Sequence, residues 1–210
     1  MAFLLKTTRK NGFGTEVLIA KDGVFLGHLV ISDTVKEDAK SAISQIKNLG
    51  IATVMLTGDA EDSAQAVADA TGIDEVHAKL LPQDKLTELI QVRNANGSVM
   101  FVGDGINDAP VLAGADVGAA MGSGADAAIE AADVVFMTSS MEAIPQSLAI
   151  ARATNNIAWQ NVIFALVIKV LVMILGLCGF ASMWMAVFAD TGVAMLCVLN
   201  SIRVLYKKKM

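Results

Sequence analysis

Two long, nearly uncharged stretches near the C-terminus constrain the fold of this chain more than any other feature. They span residues 157–178 and 184–202, and the charged side chains in them are Lys169 and Asp190. A helix of about 20 residues rises about 30 Å, the thickness of the hydrocarbon core of a bilayer. Because a short loop separates the stretches, the sequence predicts a transmembrane helical hairpin. The alternative, a buried hairpin of a large soluble core, is disfavoured in a chain of 210 residues.

Charge is distributed very unevenly along the chain. Hydrophobic residues make up 54% of it, and the mean hydropathy is +0.56, whereas residues 1–156 carry an ordinary proportion of charge. The net charge of −5, with basic residues clustered only in the C-terminal tail, argues against a nucleic-acid partner. Cys178 and Cys197 both lie in the apolar region and match neither a disulfide framework nor a metal knuckle.

The basic tail also predicts an orientation in the membrane. Arg203 and the lysines at 207–209 follow the second apolar stretch, and basic residues favour the cytosolic side. Two spans return the chain to the side from which it started. We therefore expect a multi-pass protein of a bacterial cytoplasmic membrane, with both its N-terminal domain and its C-terminus in the cytosol.

Before the apolar region, short hydrophobic runs alternate with helical patterns, which is typical of an α/β fold with a parallel sheet covered by helices on both faces. An antiparallel hairpin of residues 15–21 and 24–32, joined at Asp22-Gly23, precedes this region. A capping box, Thr34-x-x-Glu37, predicts the start of the first helix after Asp33-Thr34. Further strands are predicted near 52–56, 76–78, 99–102, 116–119 and 133–136, and helices near 61–71, 83–95, 107–114, 124–131 and 141–156.

Residues that suit phosphate chemistry follow the predicted strands. Asp104 and Asp108 come after the apolar run 99–102, within Val-Gly-Asp-Gly-Ile-Asn-Asp-Ala-Pro. Ligands gather at the carboxyl ends of strands in open α/β sheets, and paired carboxylates suit Mg²⁺. Thr57-Gly58-Asp59 follows an earlier strand, and Lys85 opens a helix. A hydroxyl, an ammonium and two carboxylates are the groups that phosphoryl transfer uses.

Each of these groups also has an ordinary structural interpretation. An acidic turn commonly caps the helix that follows it, Thr57 is itself a suitable cap, and Lys85 is a suitable solvated helix residue. The common position of the groups at the ends of strands favours the functional interpretation.

These motifs resemble the phosphorylation domain of P-type ATPases, which belong to the haloacid dehalogenase (HAD) superfamily. The resemblance rests on Met-Leu-Thr-Gly-Asp, Pro-Gln-Asp-Lys and Val-Gly-Asp-Gly-Ile-Asn-Asp-Ala-Pro-Val-Leu, in that order. It implies that Thr57 and Lys85 contact the phosphoryl group, with Gly58 and Asp59 beside it. It also implies that Asp104 is the principal Mg²⁺ ligand, supported by Asn107 and Asp108, and that the cofactors are Mg²⁺ and ATP.

The resemblance also implies a domain organisation. Residues 1–32 correspond to the last hairpin of the nucleotide-binding domain, and residues 33–140 to a HAD-like phosphorylation domain. A connecting helix at 141–156, two transmembrane helices within 157–203 and a basic cytosolic tail at 204–210 follow.

The two ionisable residues in the apolar stretches indicate a transport site. Each costs at least about 2.5 kcal/mol at mid-membrane, which makes function the default interpretation. Counting from the short loop at about 1.5 Å per residue, Lys169 lies about 13 Å deep and Asp190 about 9 Å, so the two can pair. The last helix resembles that of zinc/cadmium/lead-transporting P-type ATPases, which implies that Asp190 binds the transported metal and Lys169 is its counter-ion. A purely structural ion pair is the alternative.

Several parts of such a transporter do not occur in this sequence. Asp-Lys-Thr-Gly-Thr, which carries the phosphorylated aspartate in the family, is absent, as are most of the nucleotide site and the Cys-Pro-Cys helix. The sequence is therefore interpreted as a fragment that needs a complementary N-terminal segment and is inactive alone. Two other functions remain open: a membrane-anchored HAD-type phosphatase, and a non-catalytic fragment that binds metal.

Overall fold

A computed structural model describes residues 15–21, 23–31, 34–122, 124–180 and 182–206. The chain divides into two compact units, residues 1–143 and 144–210. Parts of three predictions lie outside the described residues: the first 14 residues of the nucleotide-domain segment, the junction at Ser32 and Asp33, and the lysines of the C-terminal tail.

The described N-terminal residues form the expected hairpin. Strand β1 (Thr15–Lys21) pairs antiparallel with β2 (Val24–Ile31). Lys21 lies opposite Val24, and Gly23 adopts a left-handed φ of 79° in the turn between them. A tight turn of this kind favours glycine, because a side chain is strained at positive φ. The predicted hairpin is thus confirmed within the described residues.

Strands and helices alternate through the rest of the first unit, as the hydrophobic pattern predicts. In chain order the elements are α1 (Ala39–Asn48), β3 (Val54–Leu56), α2 (Glu61–Thr71), β4 (Glu75–His77), α3 (Pro82–Asn96), β5 (Met100–Gly103), a 3₁₀ turn (Ile106–Asp108), α4 (Ala109–Gly114), β6 (Val117–Met121), α5 (Asp126–Ala131) and β7 (Val134–Phe136).

The strands β3 to β7 pair only in parallel, but in two separate groups. β3 pairs with β4, and β6 lies between β5 and β7. Among the described residues, no backbone ladder joins β3 to β5. Burial follows this division: β6 is buried at four of its five positions, whereas every residue of β3 and β5 is only partly buried. Within the described part of the chain, β3 and β5 therefore each present one unpaired edge.

Small side chains bring α4, β6 and α5 close together. Leu112 of α4, Ala120 of β6 and Ala128 of α5 form a fully buried cluster, and Phe101 of β5 packs against it. Alanines at the contact let a helix approach the sheet closely, and the exclusion of water from this cluster is the main stabilising term. This packing fixes the end of β5, from which the acidic turn follows.

The predicted start of the first helix is wrong by about one turn. Helix α1 begins at Ala39, and the Asp38 carboxylate makes no capping bond to it. Asp38 instead accepts hydrogen bonds of 2.7 Å from the Ser140 hydroxyl and the Met141 N–H, and these bonds lower the pKa of Asp38. Hydrogen bonds to residues far along the chain therefore form here in place of the predicted capping box.

A polar network joins the starts of β3 and β4 to the end of α1. The Asp74 carboxylate accepts hydrogen bonds from the Thr53 N–H at 3.0 Å and the Thr53 hydroxyl at 2.8 Å, and it forms an ion pair with Lys47. The hydrogen bond from Lys47, followed by those from Thr53, lowers the pKa of Asp74 from 3.8 to about 2. Thr53 is buried, so the Asp74 carboxylate satisfies the hydrogen bonding of a polar side chain in the interior.

Replacement of Asp74 by asparagine is expected to lower the melting temperature of the first unit at neutral pH. The stabilisation from the charged carboxylate is complete above the unfolded-state pKa near 3.8 and is lost as the pH falls towards about 2. The difference in melting temperature between the two proteins should therefore shrink over that range. Calorimetry of the chain in lipid nanodiscs, from pH 7 to 2, measures this difference in melting temperature. The control is Asp69→Asn, which removes the charge of an exposed carboxylate on α2. A difference that is independent of pH would contradict this account.

The second unit is almost entirely helical. Helix α6 (Ala143–Leu177) is followed by α7 (Met183–Val187), a π-helix (Phe188–Gly192) and α8 (Val193–Tyr206). Helix α6 is continuous across the predicted boundary between a connecting helix at 141–156 and a first span at 157–178, so that boundary is not a break in the helix and stays a prediction. Nothing in the backbone of residues 143–177 interrupts it, and only its composition changes from polar to apolar.

Two helical segments of this unit are long and apolar enough to cross a membrane. They are Ala143–Leu177 and Met183–Leu205, with mean hydropathies of 2.3 and 1.7 in their most apolar windows. Within the chain, 0% of the first window and 11% of the second are buried. Neither segment is a core helix of the described part of the chain, and the exposed apolar surface fits a lipid environment.

Candidate functional site

The structure brings Lys85 and Asp108 together from the ends of different strands. Lys85 lies in the first turn of α3, after β4, and Asp108 ends the 3₁₀ turn that follows β5. The Lys85 Nζ donates to the Asp108 Oδ1 at 2.8 Å, and the two side chains are only 17% and 13% exposed. A largely buried ion pair loses much of its solvation, so it is weak evidence for a purely stabilising role. It joins the two strand groups at the edge where the sequence predicts phosphate chemistry.

Asp104, Asn107 and Asp108 lie on the tight turn after β5. The second oxygen of Asp108 accepts the Gly105 N–H at 3.3 Å, which keeps the carboxylate folded back over the turn. Asp104 and Asn107 are exposed. Their oxygen donors are the hard ligands that Mg²⁺ takes, and Mg²⁺ usually completes its shell with water and phosphate. The described residues contain no group of three or more His, Cys, Asp or Glu close enough to hold a metal ion, so any Mg²⁺ bound here needs those additional ligands.

The Thr57-Gly58-Asp59 loop lies beside the segment that leads into α3. The Leu80 N–H donates to the Thr57 carbonyl at 3.0 Å, and the Lys79 N–H donates to the Asp59 carbonyl at 2.9 Å. The Thr57 hydroxyl donates to the Asp59 carboxylate at 3.0 Å and accepts the Asp59 N–H at 3.2 Å. The Thr57 N–H donates to the His77 carbonyl at 2.9 Å, so the backbone N–H groups of Thr57 and Asp59 are both engaged within the chain. A phosphoryl oxygen would have to displace these local bonds.

One support of the acidic turn was not identified from the sequence. The Ala125 N–H donates to the Asp104 carbonyl at 2.9 Å. A Cβ on Gly124 would lie 2.7 Å from the same carbonyl oxygen and 2.9 Å from that of Met121. Only glycine therefore allows the loop after β6 to approach the Asp104 backbone. The available signal was the Gly-Ser-Gly sequence after β6, since glycine at the end of a strand often marks a close approach.

Replacement of Gly124 by alanine is expected to displace the Asp104 turn, because both obstructing atoms belong to the backbone. Loss of the 2.9 Å bond to Asp104 should accelerate amide hydrogen exchange at Ala125 by at least about tenfold, the effect of losing roughly 1.4 kcal/mol of local stability. Hydrogen-exchange mass spectrometry of the two proteins measures this, with helix α1 as the internal control. Unchanged exchange at 124–126 would show that the close approach is not needed.

The predicted ion pair of the apolar hairpin is present in the second unit. The Lys169 Nζ on α6 lies 3.5 Å from the Asp190 Oδ1. Their side chains are 60% and 79% exposed, so two helices alone do not enclose them. The predicted pairing of Lys169 with Asp190 is therefore present, and both side chains are exposed within the chain.

Asp190 lies at the centre of the π-helix, which the sequence did not predict. π-Turns are rare and often occur at functional sites. A Cβ on Gly192 would lie 2.9 Å from a ring carbon of Phe188, so glycine lets the aromatic ring pack against this wider turn. No periodic signal in the sequence distinguishes a π-turn from an α-helix, and Gly192 is the only local sign of it.

The chain matches the haloacid dehalogenase-like hydrolase family over residues 3–116. It is 48% identical over 200 residues to a cadmium, zinc and cobalt-transporting ATPase of Bacillus subtilis (strain 168), which covers 93% of this chain and 28% of the relative. It is 50% identical over 195 residues to a zinc-transporting ATPase of Synechocystis sp., with coverages of 91% and 27%. The chain thus spans less than a third of the length of these relatives.

A solved structure shows the same similarity to part of a metal-transporting ATPase. The crystal structure of a zinc-transporting PIB-type ATPase in an E2.Pi state superposes with a TM-score of 0.83 at 39% identity, covering 91% of this chain and 32% of that protein. The match includes both the α/β unit and the apolar helices. By its family match, its relatives and this structural likeness, the chain belongs to the haloacid dehalogenase-like hydrolases and represents a C-terminal portion of a heavy-metal P-type ATPase.

Proposed function

We propose that this chain forms part of an ATP-driven exporter of Zn²⁺, Cd²⁺ or Pb²⁺ that works through an aspartyl-phosphate cycle in the cytoplasmic membrane. It supplies the Mg²⁺ and phosphate site and part of the transmembrane metal site. The observation that carries the proposal is the presence of two separate charged pairs on one chain. Lys85 and Asp108 meet at 2.8 Å in the α/β unit, and Lys169 and Asp190 meet at 3.5 Å between apolar helices.

At the phosphate site, each side chain has a role that its chemistry supports. Asp104 would be the main Mg²⁺ ligand, with Asp108 and Asn107 supporting it, and the bound ion would neutralise phosphate charge. The Lys85 ammonium, already oriented by Asp108, would bind a phosphoryl oxygen. The Thr57 hydroxyl, with the Gly58 backbone and the Asp59 carboxylate beside it, would position the same group.

The divided sheet supports the need for a further segment. β3 and β5 end beside the site residues, and each has an edge with no strand partner among the residues that the structure describes. The chain contains no Asp-Lys-Thr-Gly-Thr sequence. A strand inserted between them would complete the backbone pairing and bring an aspartate to the edge where Thr57 and Lys85 lie. That strand would belong to the complementary N-terminal part of the transporter, which would also complete the ATP site.

At the membrane site, Asp190 would bind the transported metal and Lys169 would act as its counter-ion. A carboxylate in an apolar span needs a partner; the ammonium supplies it when no metal is bound and competes with the metal when it is. The basic tail favours a cytosolic C-terminus. If both candidate spans among the described residues cross the membrane, the α/β unit would lie on the same side.

The purified chain, reconstituted in lipid nanodiscs, is expected to show no zinc-stimulated ATP hydrolysis, because its sequence does not contain the Asp-Lys-Thr-Gly-Thr motif that carries the phosphorylated aspartate. Production together with the missing N-terminal part, taken from the Synechocystis relative, should restore zinc resistance to a zinc-sensitive bacterial host. Phosphate release and growth on zinc measure the two results. The chain produced alone in the same host is the matched control.

Two outcomes would contradict the proposal. Metal-stimulated turnover by the isolated chain would show that the missing motif is not needed, and would favour the HAD-type phosphatase if it extended to phosphate esters. Co-purification of the two parts without restored resistance would favour a non-catalytic metal-binding fragment.

A further inference from the structure

A cluster of polar side chains joins the two apolar helices at a distance from the ion pair. Asn161 lies on α6, and Cys197, Asn200 and Ser201 lie on α8. The Asn161 Nδ2 donates to the Ser201 hydroxyl at 2.9 Å and to the Cys197 carbonyl at 3.1 Å. The Asn161 Oδ1 accepts a hydrogen bond from the Asn200 Nδ2 at 2.8 Å. Both N–H groups of the Asn161 amide and its oxygen are therefore engaged across the helix interface.

The partners of Asn161 are themselves held in place. The Ser201 hydroxyl donates back to the Cys197 carbonyl at 2.9 Å, and the Arg203 guanidinium donates to the Asn200 Oδ1 at 2.9 Å. The Cys197 thiol lies 3.7 Å from the Asn161 carbonyl. Such a connected set has one favourable arrangement, because a slip of one helix along the other breaks several bonds at once.

The cluster and the ion pair lie on the same two helices. Asn161 precedes Lys169 by eight residues, about 12 Å along a helix, and residues eight apart share a helix face. On the antiparallel partner, Asp190 precedes Asn200 by ten residues. The helix register that brings Asn161 to Asn200 is thus the register that brings Lys169 to Asp190.

The ion pair has little else to hold it. Both charged side chains are more than half exposed within the chain, their closest approach is 3.5 Å, and the π-helix around Asp190 departs from regular α-helical geometry. Lysine also has a flexible four-carbon stem. The Asn161 amide, in contrast, is fixed by three hydrogen bonds to the opposite helix.

We propose that Asn161 and Asn200 are positioning residues that set the register of the hairpin and so hold Lys169 against Asp190. This inference rests on the proposed transport role of that pair. Its consequence is that the internal cation stays within reach of the metal ligand. Without the amide cluster, the ammonium would no longer be confined to the carboxylate.

A cross-linking experiment tests contact between Lys169 and Asp190 directly. A membrane-permeant carbodiimide joins an amine to a carboxylate as an amide, with loss of one water, only where the two groups touch. The full chain is reconstituted in phosphatidylcholine nanodiscs, and the Lys169–Asp190 link is measured by peptide mass spectrometry. Wild type should form the link, and Lys169→Met and Asp190→Asn should abolish it. Asn161→Ala and Asn200→Ala should each lower its yield by about fivefold or more.

The control is Asn156→Ala, which removes an exposed asparagine of the same helix and should leave the yield unchanged. The cross-link yield of the double variant of Asn161 and Asn200 should fall no further than that of Asn161→Ala alone, because both residues act through the hydrogen bond that joins them. General destabilisation of the hairpin would instead be additive, and it would be visible as lost helicity in circular dichroism.

The outcomes separate this inference from the proposed function. A wild-type chain that forms no link contradicts the charged pair itself, and with it the proposed metal site. If wild type and both alanine variants form the link in equal yield, the Lys169–Asp190 pair is supported, but the positioning role of Asn161 and Asn200 is overturned. An additive loss in the double variant, accompanied by lost helicity, also overturns it.

Discussion

Replacement of Asp190 by asparagine is expected to abolish the zinc and cadmium resistance that the complemented transporter confers. Asparagine keeps the size of the side chain but removes the charge that would bind a divalent cation. Loss of groups that merely support a metal ligand already costs 10- to 100-fold in affinity or activity, so loss of the ligand should cost at least about 100-fold in metal-stimulated ATP hydrolysis. Growth on graded zinc and phosphate release from purified complexes measure this effect.

Two variants of the same pair sharpen the test. Asp190→Glu keeps the carboxylate and should retain part of the resistance. Lys169→Met removes the competing cation, so it should slow turnover while leaving metal affinity unchanged or tighter, a split that the loss of a ligand cannot produce. Full resistance in Asp190→Asn cells, with normal protein levels, would rule out Asp190 as the transported-metal ligand.

Replacement of Asp108 is expected to have the second large effect. Asp108→Ala leaves the Lys85 ammonium, only 17% exposed, without its partner, and an unpaired group of this kind costs about 1–3 kcal/mol of folding stability. Asp108→Asn keeps an oxygen that accepts from Lys85 but carries no charge for Mg²⁺. The alanine variant should therefore be less stable, whereas both variants should lose the Mg²⁺-dependent ATP hydrolysis of the complemented transporter by at least about 100-fold.

Melting temperature and Mg²⁺-dependent hydrolysis distinguish these contributions. Asp69→Asn, which neutralises an exposed carboxylate on α2, is the matched control and should change neither. If Asp108→Asn keeps normal hydrolysis at limiting Mg²⁺, Asp108 is a structural partner of Lys85 and no part of the metal site.

The sequence predicts the elements of the fold well where the local signal is strong. The hairpin turn at Gly23 and the strands before Thr57 and Asp104 are confirmed, because alternating apolar runs bounded by glycine have few other conformations. The capping box at Thr34 failed because Asp38 binds Ser140 and Met141, which lie about a hundred residues away. Local patterns carry no information about such a partner.

The candidate site was predicted as a set of residue types, and its geometry was not. The sequence indicates that Lys85, Asp104 and Asp108 belong to the same edge of the sheet, because each follows a strand. It does not indicate that Lys85 pairs with Asp108 while Asp104 stays exposed, nor that the Thr57 hydroxyl is engaged by Asp59. Those choices depend on how α3 and the 3₁₀ turn pack.

By itself, the sequence determined the fold class, the two apolar helices and the choice of candidate site residues, because hydrophobic periodicity and short motifs are properties of neighbouring residues. Only the tertiary structure decided the unpaired edges of β3 and β5, the π-turn at Asp190 and the amide bonds of Asn161. Each of these depends on groups far apart in the chain or on small differences in backbone packing, and the free energies involved are too finely balanced for local patterns to reveal them.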